Sequence, residues 1–337
     1  MFKGLLTVDG TIDTQQFWPN GRSDADTVKV AVKADSFTFT PDPKTTPARQ
    51  TNVFAGAQVM SRGQPTPAIK NGTITIRLQG VDATELHYQA DLSTKSHNGP
   101  IKDNGTRFRQ FFGETAAIAL HGLFARVGKG VIPCKVVTMV DHPNDVFDMF
   151  GRFIGNIHVQ IGGKTVDANL WLAENGWVFP TFYNSMSPTE ISDVLTRTTA
   201  ARKKKLGIWP HAIQHVGQFN MGLTERPVGT KPTPKADIGS VLMPKIFRRL
   251  VKFSVSQENQ IFSKDFRSYL GTQSDPVVDR TAFLKNPNKA PSKSSPDANL
   301  ESRFSPQEVL LKDPGDMVFF EKPSTLVDKA GTRILKF

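Results

Sequence analysis

Three short segments carry residue types that could act together on a phosphodiester. They are Asp24-Ala25-Asp26-Thr27, Arg77-Leu78-Gln79-Gly80-Val81-Asp82-Ala83-Thr84-Glu85, and Asp148-Met149-Phe150-Gly151-Arg152. Asp26 and Asp82 offer carboxylate oxygens, the donors that a hard divalent cation takes. Glu85 follows close behind Asp82 and could take a proton from an attacking water. Arg77 and Arg152 offer planar guanidinium forks, which grip phosphate oxygens and hold them more tightly as charge grows in a five-coordinate transition state. Two metal ligands, one acid or base and two guanidinium groups make up the inventory of a metal-dependent phosphodiesterase. Singly, each residue has a plainer reading. Asp26 could be a strand-start cap, Asp24 a turn former or a support for Asp26, Arg77 a surface ion-pair partner, Glu85 a helix cap and Arg152 an ordinary hairpin residue. Their joint occurrence favours the chemical reading.

The elements that must position them follow from periodicity. Thr27 to Val32 alternates, with Val28, Val30 and Val32 on one face, and Thr73 to Val81 does the same through Ile74, Ile76 and Leu78. Gly10 to Trp18 predicts a first strand, Ser36 to Thr40 a hairpin partner for the 27–32 strand, and Val131 to Val140 a further strand. Phe153 to Ile161 and Lys164 to Val166 flank Gly162-Gly163, a favoured two-residue turn. An apolar stripe from Phe108 to Phe124 predicts a helix over 106–127. Asp167 predicts the cap of a short helix, and Ser187-Pro188-Thr189-Glu190 a capping box opening another that runs to about Lys205. The basic run Arg202 to Lys205 suits a helix C-terminus as well as it suits a phosphate. About five strands, mostly antiparallel, with about three helices predict a mainly β, α+β architecture of the OB-type barrel.

The chain has 337 residues and a net charge of +11, a basic surplus that suits a polyanionic partner such as nucleic acid. Its single cysteine, Cys134, excludes an intrachain disulfide. The histidines show no metal-ligand spacing, which argues against zinc. No stretch is apolar enough to cross a bilayer. The first residues lack a long apolar signal core, so a cytoplasmic location is the expectation. Residues 41–70, rich in Pro, Thr and Gly, read as an insertion with a short strand at 52–59, and 214–239 as a linker, extended at 230–235. Residues 240–337 read as a β-containing accessory region of unknown function, with strands at 246–255 and 317–320 and disorder near 286–299.

The pattern Asp24 to Lys29, Arg77 to Glu85, Gly151-Arg152 and the closing Leu206-Gly207-Ile208-Trp209 resembles the staphylococcal nuclease family over roughly residues 10–211. The resemblance implies a nuclease-type OB barrel over about 1–213. It implies Ca2+, or Mg2+ or Mn2+ in its place, held by Asp26, Asp82 and the backbone carbonyl of Ala83. It assigns Glu85 to water activation and Arg77 and Arg152 to the phosphate, and implies endonucleolytic cleavage of DNA or RNA that leaves a 3′-phosphate. Phe182 and Tyr183 fall where the family places aromatics near the base; they could stack on an unpaired base or pack the core. The sequence departs from the family at Ala25, at Ala83-Thr84, and at Met149 and Phe150, where the family has Lys and Tyr. Single-stranded nucleic acid is the expected substrate. The alternatives are a catalytically silent nucleic-acid- or protein-binding module, and a nuclease subunit of a larger assembly whose protein partner docks on the C-terminal region.

Overall fold

The computed structural model describes residues 4–61, 64–92, 100–231, 239–287, 289, 291 and 298–337. Five strands build the central sheet: β1 (Gly4–Asp13), β2 (Thr27–Thr40), β3 (Thr73–Leu78), β4 (Val131–Val140) and β5 (Phe153–Ile161). β1 pairs antiparallel with both β2 and β4, β2 with β3, and β4 with β5, while β3 and β5 run parallel. The ring therefore closes in the order 1-2-3-5-4, a five-stranded OB barrel. Alternation fills it: Val8, Val28, Val30, Ile74, Ile76, Val136 and Ile157 point inward and are buried.

The segment predicted as a hairpin, 27–32 with 36–40, is instead one long bent strand. Both halves pair with β1, and the register jumps between Val8 and Gly10. Such a bulge sharpens the bend that barrel closure needs. Gly10 permits it, because a Cβ there would lie 2.5 Å from Val30 Cγ1 and 2.7 Å from the Ala31 carbonyl. β1 also ends earlier than expected, at Asp13, whose side chain accepts from Gln15 N–H and starts a 3-10 turn.

Helix α1 (Gly113–Ala125) is shorter than the 106–127 stretch predicted. Phe112 stands before it at a left-handed φ of 65°, which breaks the helical path, and Arg107–Phe108 instead pairs with Tyr88–Gln89. Helices α2 (Ala168–Glu174) and α3 (Pro188–Lys203) start where their caps predict. Asp167 accepts from Leu170 N–H at 3.0 Å, and Ser187 and Glu190 close a reciprocal capping box.

Beyond the barrel, 246–255 is not a strand. It lies within helix α4 (Pro244–Glu258), followed by α5 (Phe266–Thr272) and α6 (Arg280–Lys285). Proline begins α4, and Ile246, Phe247, Leu250 and Val251 recur at helical spacing toward the core. Residues of α4, α5 and the 300–319 stretch share one hydrophobic cluster with Ala90, Phe112, Phe179, Ala201, Ile208 and Trp209. Met317–Phe319 forms a strand beside Phe182–Tyr183, and Leu326–Val327 pairs with Gln58–Val59 of the 41–70 excursion. The short strand expected at 52–59 begins only at Gln58, because 53–56 turn on themselves, with the Ala55 N–H donating to the Asn52 carbonyl at 2.9 Å. The stretches expected to be extended at 230–235 and disordered near 286–299 lie largely outside the described residues.

Candidate active site

The site forms where β2 begins, where β3 ends and where the chain folds back after β3. Thr27 lies opposite Arg77 in the β2–β3 register, and Leu78 N–H donates to the Asp26 carbonyl at 2.8 Å. Gly80, at φ 78°, makes the turn that sends the chain back through the short strand Val81–Ala83. That strand pairs with Val178–Pro180 and so covers the second face of the β3 end. The strand–turn–strand path brings Arg77 within reach of Asp82, five positions further on.

Four of the expected residues meet there. Arg77 Nη2 donates to Asp82 Oδ1 at 2.6 Å, and its Nη1 lies 3.1 Å from Asp26 Oδ2 and 2.8 Å from the Val81 carbonyl. Asp26 Oδ2 also accepts from the Ala83 N–H at 2.7 Å. Asp26, Arg77 and Asp82 are all buried, Asp82 completely. Glu85 closes the group through a residue that sequence reasoning missed, Arg248 of α4. Arg248 Nη1 donates to Glu85 Oε1, and its Nη2 to Asp82 Oδ2 at 3.1 Å. Nothing in the spacing of the motifs announces Arg248. Its only mark in the sequence is an Arg-Arg pair within an apolar run.

The electrostatics are lopsided. Burial and the nearby Asp26 and Glu85 carboxylates push Asp24 well above its ordinary range, and its buried Oδ1 accepts no hydrogen bond among the described residues. Burial also raises Glu85, to about 7, with Asp82 and Asp26 adding to it against the pull of Arg248. Asp26 goes the other way: burial opposes its charge, but Arg77 and the Ala83 N–H outweigh burial and hold it below the usual range.

The other expected residues stand apart from this cluster. Arg152 lies at the start of the β5 hairpin, where its Nε donates to Asp148 Oδ2 at 2.7 Å. Its charge still acts on Asp24 and Asp26. The exposed Phe150 ring lies 5.4 Å from the Arg152 guanidinium carbon. Of the two aromatics, Phe182 is fully buried in the barrel-side core and offers no face to a base. Tyr183 is half-buried between Phe319 and Lys245. Burial raises its hydroxyl to about 12.

The donor chemistry fits a hard divalent cation. Carboxylate oxygens dominate, and Asp24 Oδ1 is a buried acceptor without a donor. As the side chains stand, no group of three or more His, Cys, Asp or Glu among the described residues is gathered to hold a metal ion. The guanidinium groups of Arg77 and Arg248 sit on the acids instead.

A closed five-stranded barrel with acids and guanidinium groups at one strand end falls in the OB class, whose members bind oligonucleotides and oligosaccharides. Residues 75–211 match the family model described as Staphylococcal nuclease homologue, so this part of the chain is similar to a staphylococcal nuclease domain. The matched span contains Arg77, Asp82, Ala83, Glu85, Arg152, Phe182 and Tyr183; Asp24, Asp26 and Arg248 lie outside it. No curated protein matches the chain. No helix among the described residues is long and apolar enough to cross a membrane.

Proposed function

We propose that this chain is a divalent-cation-dependent endonuclease acting on single-stranded DNA or RNA, with Ca2+ the first choice of cation and Mg2+ or Mn2+ as substitutes. The observation that carries the reading is the convergence of Asp26, Arg77, Asp82 and Glu85 into one buried, hydrogen-bonded cluster. Asp26, Asp82 and the Ala83 carbonyl would hold the cation, with Asp24 behind them. When bound, the cation would act as a Lewis acid on a phosphate oxygen.

The chain's own groups do the rest. Glu85, with a pKa near 7, is poised to take a proton from water at neutral pH. Arg77 is permanently charged and faces the same acids, so it can pass hydrogen bonds from carboxylates to a phosphodiester as negative charge develops. Arg152, oriented by Asp148, supplies a second fork from the β5 side. The net charge of +11 draws the polyanion in.

The test is a cleavage panel of labelled single-stranded DNA and RNA against Ca2+, Mg2+ and Mn2+, run on the intact chain and on Glu85→Gln. Cleavage that needs a cation and collapses in Glu85→Gln is the expected result. Cleavage untouched by Glu85→Gln removes Glu85 from the mechanism. A second reading, a nucleic-acid-binding module without catalysis, is favoured by one contact: Arg248 neutralises Asp82 and Glu85 together. Binding without cleavage in every cation would establish it.

A further inference from the structure

Arg248 reaches the site from outside the segment that matches the family. Its backbone is fixed, because Ile246, Phe247, Leu250 and Val251 anchor α4 in the core on either side of it. Its basic neighbours are committed elsewhere. Arg249 makes a forked pair with Asp275 at 2.6 and 2.7 Å, and Lys245 lies between Asp275 and Glu321. Arg248 points about 100° round the helix from Arg249, into the carboxylate cluster, with its side chain still 27% exposed.

In that place it competes directly with a cation. Asp82 Oδ1 already accepts from Arg77, and Asp82 Oδ2 and Glu85 Oε1 both accept from Arg248. Withdrawing the Arg248 side chain would free those two oxygens while Arg77 kept Asp82 in position. A guanidinium prefers a phosphate it can grip with two N–H groups at least as well as a split hold on two carboxylates. A phosphodiester entering the cluster would also bring the negative charge that lets Arg248 leave the acids without an unpaired buried cation.

The geometry points to Arg248 as a substrate-responsive counter-ion, which holds Asp82 and Glu85 closed against a divalent cation in the free protein and transfers to the phosphodiester when nucleic acid binds. The C-terminal region thereby supplies a third guanidinium to the site, and cation and substrate binding become coupled through it. This inference rests on the nuclease reading for its substrate, but its first readout does not require cleavage.

The experiment is calorimetric titration of the full chain with Mn2+ and with Ca2+, alone and with a cleavage-resistant phosphorothioate single strand, for wild type and Arg248→Gln. Without the strand, Arg248→Gln should bind the cation roughly tenfold more tightly, the scale of removing one adjacent positive charge. The strand should raise the affinity of the wild type and raise that of the variant less. Equal cation affinity in the two proteins without the strand overturns the inference, and so does an equal gain from the strand. If Arg248→Gln fails to fold by circular dichroism, Arg248→Lys, which keeps a charge but cannot bridge both acids, should shift in the same direction by less. No cleavage by either protein, with the affinity shift intact, sinks the nuclease reading alone. Normal wild-type cleavage with no shift sinks this inference alone.

Discussion

Helix α4 carries two charge clusters on neighbouring faces, and they differ in balance. On one face, Lys245 and Arg249 meet Asp275 and Glu321. Burial opposes the charges of Asp275 and Lys245, yet pairing outweighs it: Asp275 lies below its ordinary range and Lys245 above its own. Both signs are driven toward the charged form, as in a structural ion-pair network. On the other face, the carboxylates of Asp24, Asp26, Asp82 and Glu85 surround the guanidinium groups of Arg77 and Arg248. Four acids face Arg77 and Arg248, with Arg152 acting on Asp24 and Asp26 from the β5 side, and burial lifts Asp24 and Glu85 instead. Buried carboxyl groups that cannot all ionise together are costly unless something positive arrives to complete them. On the proposed function, the balanced cluster holds the fold together, and the unbalanced one receives a ligand.

The largest effect that can break this comparison falls on Glu85. Glu85→Gln should lower kcat by about 10²- to 10⁴-fold, the usual contribution of a general base. Its unfolding midpoint in urea should not fall, because the change relieves repulsion from Asp82 and Asp26. Asp275→Asn should do the reverse. It strands Arg249, leaves Lys245 with Glu321 alone, and should cost about 3–5 kcal/mol in urea unfolding, while the folded fraction still cleaves. If Asp275→Asn abolishes cleavage at full stability, or Glu85→Gln unfolds the protein, the division into holding and receiving clusters is wrong.

A subtler contrast lies in pH. Glu85 is raised when folded, from 4.5 to about 7. The folded protein therefore binds the extra proton between those values, so the contribution of Glu85 to stability is full at low pH and is lost as pH climbs through 7. Asp275 is depressed when folded, so its contribution is present above its unfolded value and is lost as pH falls through the folded one. Urea titrations in chelator should accordingly show Glu85→Gln gaining on wild type between pH 5 and 8. Asp275→Asn should come closest to wild type only at the acid end. Cleavage by wild type should rise with pH up to about 7 and then level off, since Glu85 must be ionised to accept a proton. A rate that falls across that interval would exclude Glu85 as the base.

How far the sequence could reveal this depends on where each residue lies along the chain. Arg77, Asp82 and Glu85 sit on one strand–turn–strand, so their spacing is already their geometry, and Asp26 joins them through simple β2–β3 pairing. The barrel was legible for the same reason: alternation with period two marks β2 to β5 directly. The long bent β2 was misread as a hairpin because a bulge is set by the partner strand, not by local pattern. Helix α4 was misread as a strand because Ile246, Phe247, Val251, Phe253 and Val255 are strand-forming types; their helical spacing prevails only once the core is there to receive it. Arg248 inherits that difficulty. Its place in the site is fixed by how α4 docks, which no local spacing records. Phe182 shows the opposite failure: an aromatic in the right stretch, turned into the core by its pairing with Val318.

The smallest expected effect provides the control for all of this. Arg197 and Glu174 form an ion pair at 2.6 Å, as short as Arg77 to Asp82, but their side chains are 45% and 55% exposed. Water already solvates both charges, so the pair adds little, and Arg197→Ala should cost no more than about 0.5 kcal/mol and leave cleavage unchanged. On the proposed function, the same geometry carries very different consequences in three places: negligible at the surface, structural in the balanced buried cluster, and receptive in the unbalanced one. Were Arg197→Ala as damaging as Asp275→Asn in the same urea titration, pairing rather than burial would set the scale. The excess of buried acid around Glu85 would then no longer distinguish a site from a brace.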